Sequence, residues 1–196
     1  MTDKGVDRQI DREAGARAID AFLRAIGRDP ATDPGLLETG KRVTDAFVDE
    51  LCDGYAVDTK ALVASHAIAG HTELVAMLDI AITTTCPHHL MPATGVASVA
   101  FAPKATIIGL GALVRLVDAF AHRLILQEDI GINVVRELMA GLDPEWAGCR
   151  LSMSHTCVTA RGERRHGARV ETLALLGDLK GGKRRATAER ALGMGT

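Results

Sequence analysis

Along this chain the spacing of apolar residues switches between helical and strand periods, and each switch marks an element. Ile19, Phe22, Leu23 and Ile26 recur at helical spacing, and Gly27 with Asp29-Pro30 supplies a stop. A linker holding Pro30 and Pro34 leads to a second stripe, Val43, Phe47 and Leu51, closed by Gly54. From His71 to Thr85 the period falls to two, which puts Leu74, Ala76, Leu78, Ile80 and Ile82 on one face of a strand ending at Cys86. Gly95 to Phe101 reads as a second strand, and the short connection predicts antiparallel pairing. After a Pro103-Lys104 turn, Leu110, Leu113, Val114, Val117, Phe120 and Ala121 form a helical stripe. Ile130, Val134, Val135, Leu138 and Leu142 form another before Asp143-Pro144. Alternation returns at Cys149, Leu151, Met153, His155 and Cys157, so His155 and Cys157 are expected on the same strand face. A final strand is expected near Arg169 to Leu176.

The expected architecture is α+β: an N-terminal helical arm over 1–70, a catalytic domain over 71–177 with two strand pairs around a helix pair, and a disordered tail over 178–196 rich in Gly, Lys and Arg. A length of 196 residues, 47% of them hydrophobic, suits one domain plus an arm rather than two full domains. The net charge of -2 argues against bulk attraction to nucleic acid or an anionic membrane, while a small anionic ligand stays open. No apolar run has the length of a signal peptide core or a membrane span, so a soluble, cytoplasmic protein is expected. Four cysteines are too few for a disulfide scaffold at this size, which leaves metal binding, catalysis or burial.

The chemistry concentrates at Thr83-Thr84-Thr85-Cys86-Pro87-His88-His89. A thiolate and an imidazole three residues apart can bind one zinc from a tight turn, and Cys157 is the natural third ligand if both strand pairs share one sheet. Three protein ligands leave zinc a position for water, which ionises near neutrality there. His88 and His155 are then the acid and base candidates. Cys52 and Cys149 read as small buried residues, and His66, His71, His122 and His166 as surface or packing residues. Lys41 and Arg42 open the second helix against its macrodipole; their ordinary reading is a solvated first turn.

The elements Cys86-Pro87-His88-His89, Gly109-Leu110, Arg115, Gln127-Glu128 and His155-Thr156-Cys157-Val158-Thr159-Ala160-Arg161-Gly162 resemble the GTP cyclohydrolase I family in order and spacing. The likeness reaches upstream to Glu38-Thr39-Gly40-Lys41-Arg42 and covers roughly Ala18 to Gly177. It implies Zn2+ held by Cys86, His89 and Cys157, and catalytic histidines at His88 and His155. Substrate contacts would come from Glu128 and Gln127 at the guanine, from Leu110, and from Arg115 and Arg161 at the triphosphate. Arg42 would reach a neighbouring subunit's site. The implied fold is the tunnelling fold, and the implied assembly a homo-oligomer, a decamer in the family. The implied reaction hydrolyses C8 of the guanine of GTP, releases formate and gives 7,8-dihydroneopterin triphosphate, a step of pterin and tetrahydrofolate biosynthesis.

The chain departs from the family's pattern where Gly111-Ala112 stand in place of Ser-Lys, where Pro87 replaces a glutamate, and in Gly167-Ala168-Arg169-Val170, which lacks hydroxyls often carried there. The first removes a hydroxyl and a cation from the phosphate end; Arg164, Arg165 or Arg169 are candidates to replace them. These changes motivate two alternatives: action on a guanine nucleotide or nucleoside with fewer phosphates, and a non-catalytic oligomer that binds nucleotide or metal.

Overall fold

A computed structural model describes residues 9–70, 72–180 and 182–194; His71 lies outside the described residues. The chain divides into two compact units, Met1–Glu50 and Leu51–Thr196. The division falls before residue 70, where the sequence places the end of the arm, and the second unit takes in a helix, Thr59–His66, that the apolar pattern does not reveal.

In the first unit, α1 (Arg12–Ala25) is capped by Asp11, whose carboxylate accepts from Ala14 N, and α2 spans Thr39–Ala46. The two helices meet at Gly40, where a Cβ would lie 2.4 Å from Ala16 O and Asp20 Oδ1. That contact covers the small-residue side of α1 and leaves Phe22 and Ile26, two of the residues at helical spacing, 60% and 57% exposed. The basic first turn of α2 is offset by its own acids: Lys41 Nζ lies 2.6 Å from Asp45 and Arg42 Nη2 3.6 Å from Glu38.

The second unit opens with α3 (Thr59–His66), capped by Asp58. Strand β1 (Ala67–Ala69) then pairs antiparallel with β4 (Thr106–Ile108). The main sheet holds β2 (Val75–Thr85), β3 (Pro92–Ala102), β5 (Trp146–His155) and β6 (Val170–Gly177), all antiparallel in the order β2-β3-β5-β6. Helices α4 (Leu110–Ala121) and α5 (Gln127–Leu142) connect the strand pairs and build the core against one sheet face, with Leu113, Leu116, Ile130, Leu138, Val99 and Phe101 fully buried. Cys149, Leu151 and Met153 alternate into that core as their spacing predicts. Among the described residues no helix is long and apolar enough to cross a membrane.

Three sequence expectations are corrected. The single apolar face of β2 is broken by a register shift between Met77 and Ile80, with Asp79 at φ 55 and its N–H on Ser98 Oγ. The extra residue inverts the alternation, so Ile80 and Ile82 are buried while Leu74 and Leu78 are 37% and 48% exposed. Beyond Gly177, where disorder was expected, helix α7 (Gly182–Ala191) lies on the other sheet face, with Ala188 and Leu192 buried among Ala100, Ala102 and Trp146. Arg184 ties α7 to the preceding loop through Asp178 at 2.6 Å. Finally, β5 ends at His155, and Cys157 belongs to a helical turn, α6 (Thr156–Thr159), rather than to the strand.

Candidate active site

Backbone register assembles this site. Thr85 at the end of β2 pairs with Pro92, and the next residue of β3, Ala93, pairs with His155 at the end of β5. The Cys86–Met91 turn and the exit of β5 therefore sit side by side. Cys86 N donates to Met91 O and Leu90 N to Cys86 O, both at 2.9 Å, and Leu90 closes the turn at φ 53. Thr156 Oγ1 donates to Pro92 O at 2.5 Å, fastening α6 to the foot of the same turn. Cys157 is thus delivered to Cys86 by a strand end, a hydroxyl clamp and one helical turn.

The donor atoms of Cys86, His89 and Cys157 lie within 4.8 Å of one another. Cys86 Sγ stands 3.7 Å from His89 Nδ1. Tetrahedral zinc places sulfur and nitrogen donors roughly 3.6 Å apart, given its usual bond lengths. Two thiols and an imidazole at this separation fit zinc. The Cys157 thiol is pushed up first by burial and then by neighbouring Cys86, while Arg161 acts in the opposite direction. A divalent cation held there would bind both sulfurs as thiolates and relieve that opposition. His88 stands outside the donor group, exposed, its ring edge-on to His89 at 6.3 Å between centroids and 80° between planes.

His155 is held by Gln127. Its Nε2 lies 2.7 Å from Gln127 Oε1, and the Gln127 amide nitrogen donates to Leu151 O, Val170 O and Thr172 Oγ1 at 3.3, 3.0 and 3.1 Å. Backbone carbonyls only accept, so the amide cannot be flipped and must turn its oxygen to the imidazole. His155 therefore carries its proton on Nε2 and leaves the Nδ1 lone pair free to take another. Gln127 is only 3% exposed, and its amide is spent on protein groups. This role escapes sequence reasoning because Val170 and Leu151 reach the amide only through the β5–β6 register.

An isolated bridge between Thr85 and Leu124 brings the α4–α5 loop beside the end of β2 and sets the start of α5 near the cysteine turn. Glu128 lies exposed in the first turn of α5, where the helix macrodipole favours a carboxylate, and makes no hydrogen bond or ion pair with the described residues. Leu110 opens α4 at 60% exposure. Arg115 follows one turn later, exposed, with Nη2 on His66 Nε2. Arg161 follows α6, also exposed, and Arg42 belongs to the other compact unit. Of the candidate replacements for the missing lysine, Arg169 is engaged: its Nε donates to Ser152 Oγ at 3.0 Å. Position 112 itself faces the core, Ala112 being 2% exposed.

The GTP cyclohydrolase I family model matches residues 15–192. The GTP cyclohydrolase 1 of Acetivibrio thermocellus is 37% identical over 172 residues, 87% of this chain and 91% of that protein. Those of Streptomyces griseus and Pelagibacter ubique are 36% and 34% identical, over 91% and 87% of this chain and 89% and 84% of theirs. The apo structure of an archaeosine synthase QueF-Like matches at a TM-score of 0.47 and 18% identity, over 56% of this chain and 99% of that one. Matched along nearly its whole length, the chain belongs to the GTP cyclohydrolase I family.

Proposed function

We propose that this chain is a zinc-dependent GTP cyclohydrolase I, hydrolysing C8 of the guanine of GTP with release of formate and formation of 7,8-dihydroneopterin triphosphate. The observation that carries the reading is the Cys86, His89 and Cys157 donor group beside a histidine whose tautomer is held by Gln127, in a chain of this family. Cys86, His89 and Cys157 hold the metal, which when bound supplies Lewis acidity and makes water a competent nucleophile near neutral pH.

The chain's own groups supply the rest. Glu128 presents an acceptor-only carboxylate, the partner suited to the N1–H and 2-amino donors of guanine. His155 takes a proton at Nδ1 while Gln127 holds its Nε2–H, so Gln127 acts through His155 and not on the substrate. His88, exposed beside His89, exchanges the second proton. Leu110 packs at the substrate, and Arg115 and Arg161 meet the phosphates. Subunits associate through their sheet edges, with Arg42 reaching a neighbour's site. The test is incubation of zinc-loaded protein with GTP, followed by oxidation and measurement of a fluorescent pterin and formate.

One observation favours a second reading, in which the substrate has fewer phosphates. Gly111 carries no side chain, Ala112 points into the core and Arg169 is bound to Ser152, so the phosphate end has fewer anchors. Comparing kcat/KM for GTP, GDP, GMP and guanosine decides between them: a strong preference for GTP rejects the second, and a preference for GMP or guanosine rejects the first.

A further inference from the structure

We propose that His66 is a positioning residue for Arg115, holding its guanidinium toward the anionic end of the substrate without neutralising it. The inference rests on the reading of Arg115 as a phosphate contact. His66 Nδ1 lies 2.9 Å from Leu62 O, one turn back in α3, and 2.9 Å from the Ser65 hydroxyl, whose own proton goes to Leu62 O at 3.2 Å and whose oxygen is left to accept. A carbonyl only accepts, so Nδ1 carries the imidazole proton and Nε2 offers a lone pair. Arg115 Nη2 stands 2.8 Å from that Nε2, and a guanidinium only donates. The neutral imidazole in a single tautomer satisfies both contacts.

The backbone of the same residue reinforces the placement. His66 O accepts from the N–H of Gly109, the N-cap of α4, at 3.3 Å, and Ala67 pairs with Ile108. His66 thereby fixes the start of α4 through its main chain and Arg115 through its ring. The acceptor is of an uncommon kind for this molecule. Arg12, Arg150 and Arg184 lie against carboxylates, whereas Arg115 makes no ion pair with the described residues. A carboxylate there would cancel the charge an anion needs; an imidazole orients the guanidinium and leaves the charge and the remaining N–H donors available. There is room for a ligand as well, since Cβ atoms added at Gly109 or Gly111 would meet nothing within 4 Å.

The test is calorimetric binding of inorganic tripolyphosphate, GTP and guanosine to zinc-loaded wild type, His66→Ala, His66→Gln, Arg115→Ala and the His66→Ala/Arg115→Ala double variant. Binding reads out whether or not GTP is turned over. His66→Ala is expected to weaken tripolyphosphate and GTP by about 10-fold, the scale of one charge-assisted hydrogen bond, and to leave guanosine unchanged. His66→Gln, which keeps an acceptor near Nε2, recovers most of the loss, and His66→Ala adds nothing in the Arg115→Ala background. If Arg115→Ala weakens tripolyphosphate while His66→Ala does not, His66 does not position Arg115. If His66→Ala weakens guanosine equally, its role is general folding. If Arg115→Ala itself leaves tripolyphosphate binding intact, the reading of Arg115 fails and this inference with it.

Discussion

Two buried or half-buried polar groups set what individual residues can do here. Gln127 is committed on both ends, so Gln127→Ala releases the His155 ring without removing a member of the Cys86, His89 and Cys157 donor group. We expect kcat to fall by about 10²-fold or more, the usual scale of a general acid–base contribution, with zinc content and KM near wild type; steady-state kinetics with metal analysis checks this. A raised KM at unchanged kcat would return Gln127 to a substrate contact. Cys149 is the contrasting case, a thiol without chemistry. Burial pushes it up to about 12, so the folded thiol keeps its proton where the unfolded one, near 9.0, has lost it. Its contribution to stability is complete below pH 9.0 and is lost as pH rises toward 12. Cys149→Val is expected to flatten the alkaline limb of a denaturation–pH profile; an unchanged limb would show that this thiol does not set it. The cysteine and histidine types at Cys86, His89, His155 and Cys157 were legible in the sequence because zinc chemistry restricts donor type and spacing. Gln127 and His66 were not legible in their roles, since each depends on carbonyls of other residues that only the folded backbone supplies.

At the scale of elements, local irregularities carry the differences from a periodic reading. Asp79 sits in the left-handed region at the β2 bulge, so Asp79→Val should cost about 1–2 kcal/mol in urea denaturation, and Asp79→Gly little or nothing. Equal effects from both would mean the backbone there is unstrained. The alternation of β2 was legible, but its phase was not, because one inserted residue reverses every side chain after it. Helix α7 escaped for another reason: its sequence is mostly charged, and its docking rests on Ala188 and Leu192 against Trp146 and its neighbours. Leu192→Ala should cost about 2–5 kcal/mol, the range for a fully buried leucine, and a cost below 0.5 kcal/mol would show that α7 does not hold to the sheet in solution. Helix α3 has Leu62 and Val63 as its only large apolar residues, too few to announce a stripe, and is revealed mainly by its Asp58 cap.

For the whole molecule, the order of strand pair, helix pair and strand pair was readable from period changes alone, and it is this order that brings the ends of β2 and β5 together. The register that aligns Thr85, Pro92, Ala93 and His155 was not readable, because strand offsets depend on turn geometry and on Gly95, where a Cβ would fall 2.1 Å from Ser152 O. Strands β2 and β6 leave the sheet with two open edges, and Leu78 and Val170 on them are 48% and 40% exposed. Edges of that kind call for cover by another chain, so light scattering should report a homo-oligomer, a decamer if the family's assembly holds. By the proposed function, this fold carries a zinc site competent to open the guanine ring. The most direct measurement is formate and oxidised-pterin release from GTP, made on one preparation whose zinc content is determined, alongside a Cys157→Ala variant. About one zinc per chain and turnover are expected in the wild type, with both lost in the variant. A wild-type protein fully loaded with zinc that yields neither formate nor pterin from GTP would contradict the proposed function.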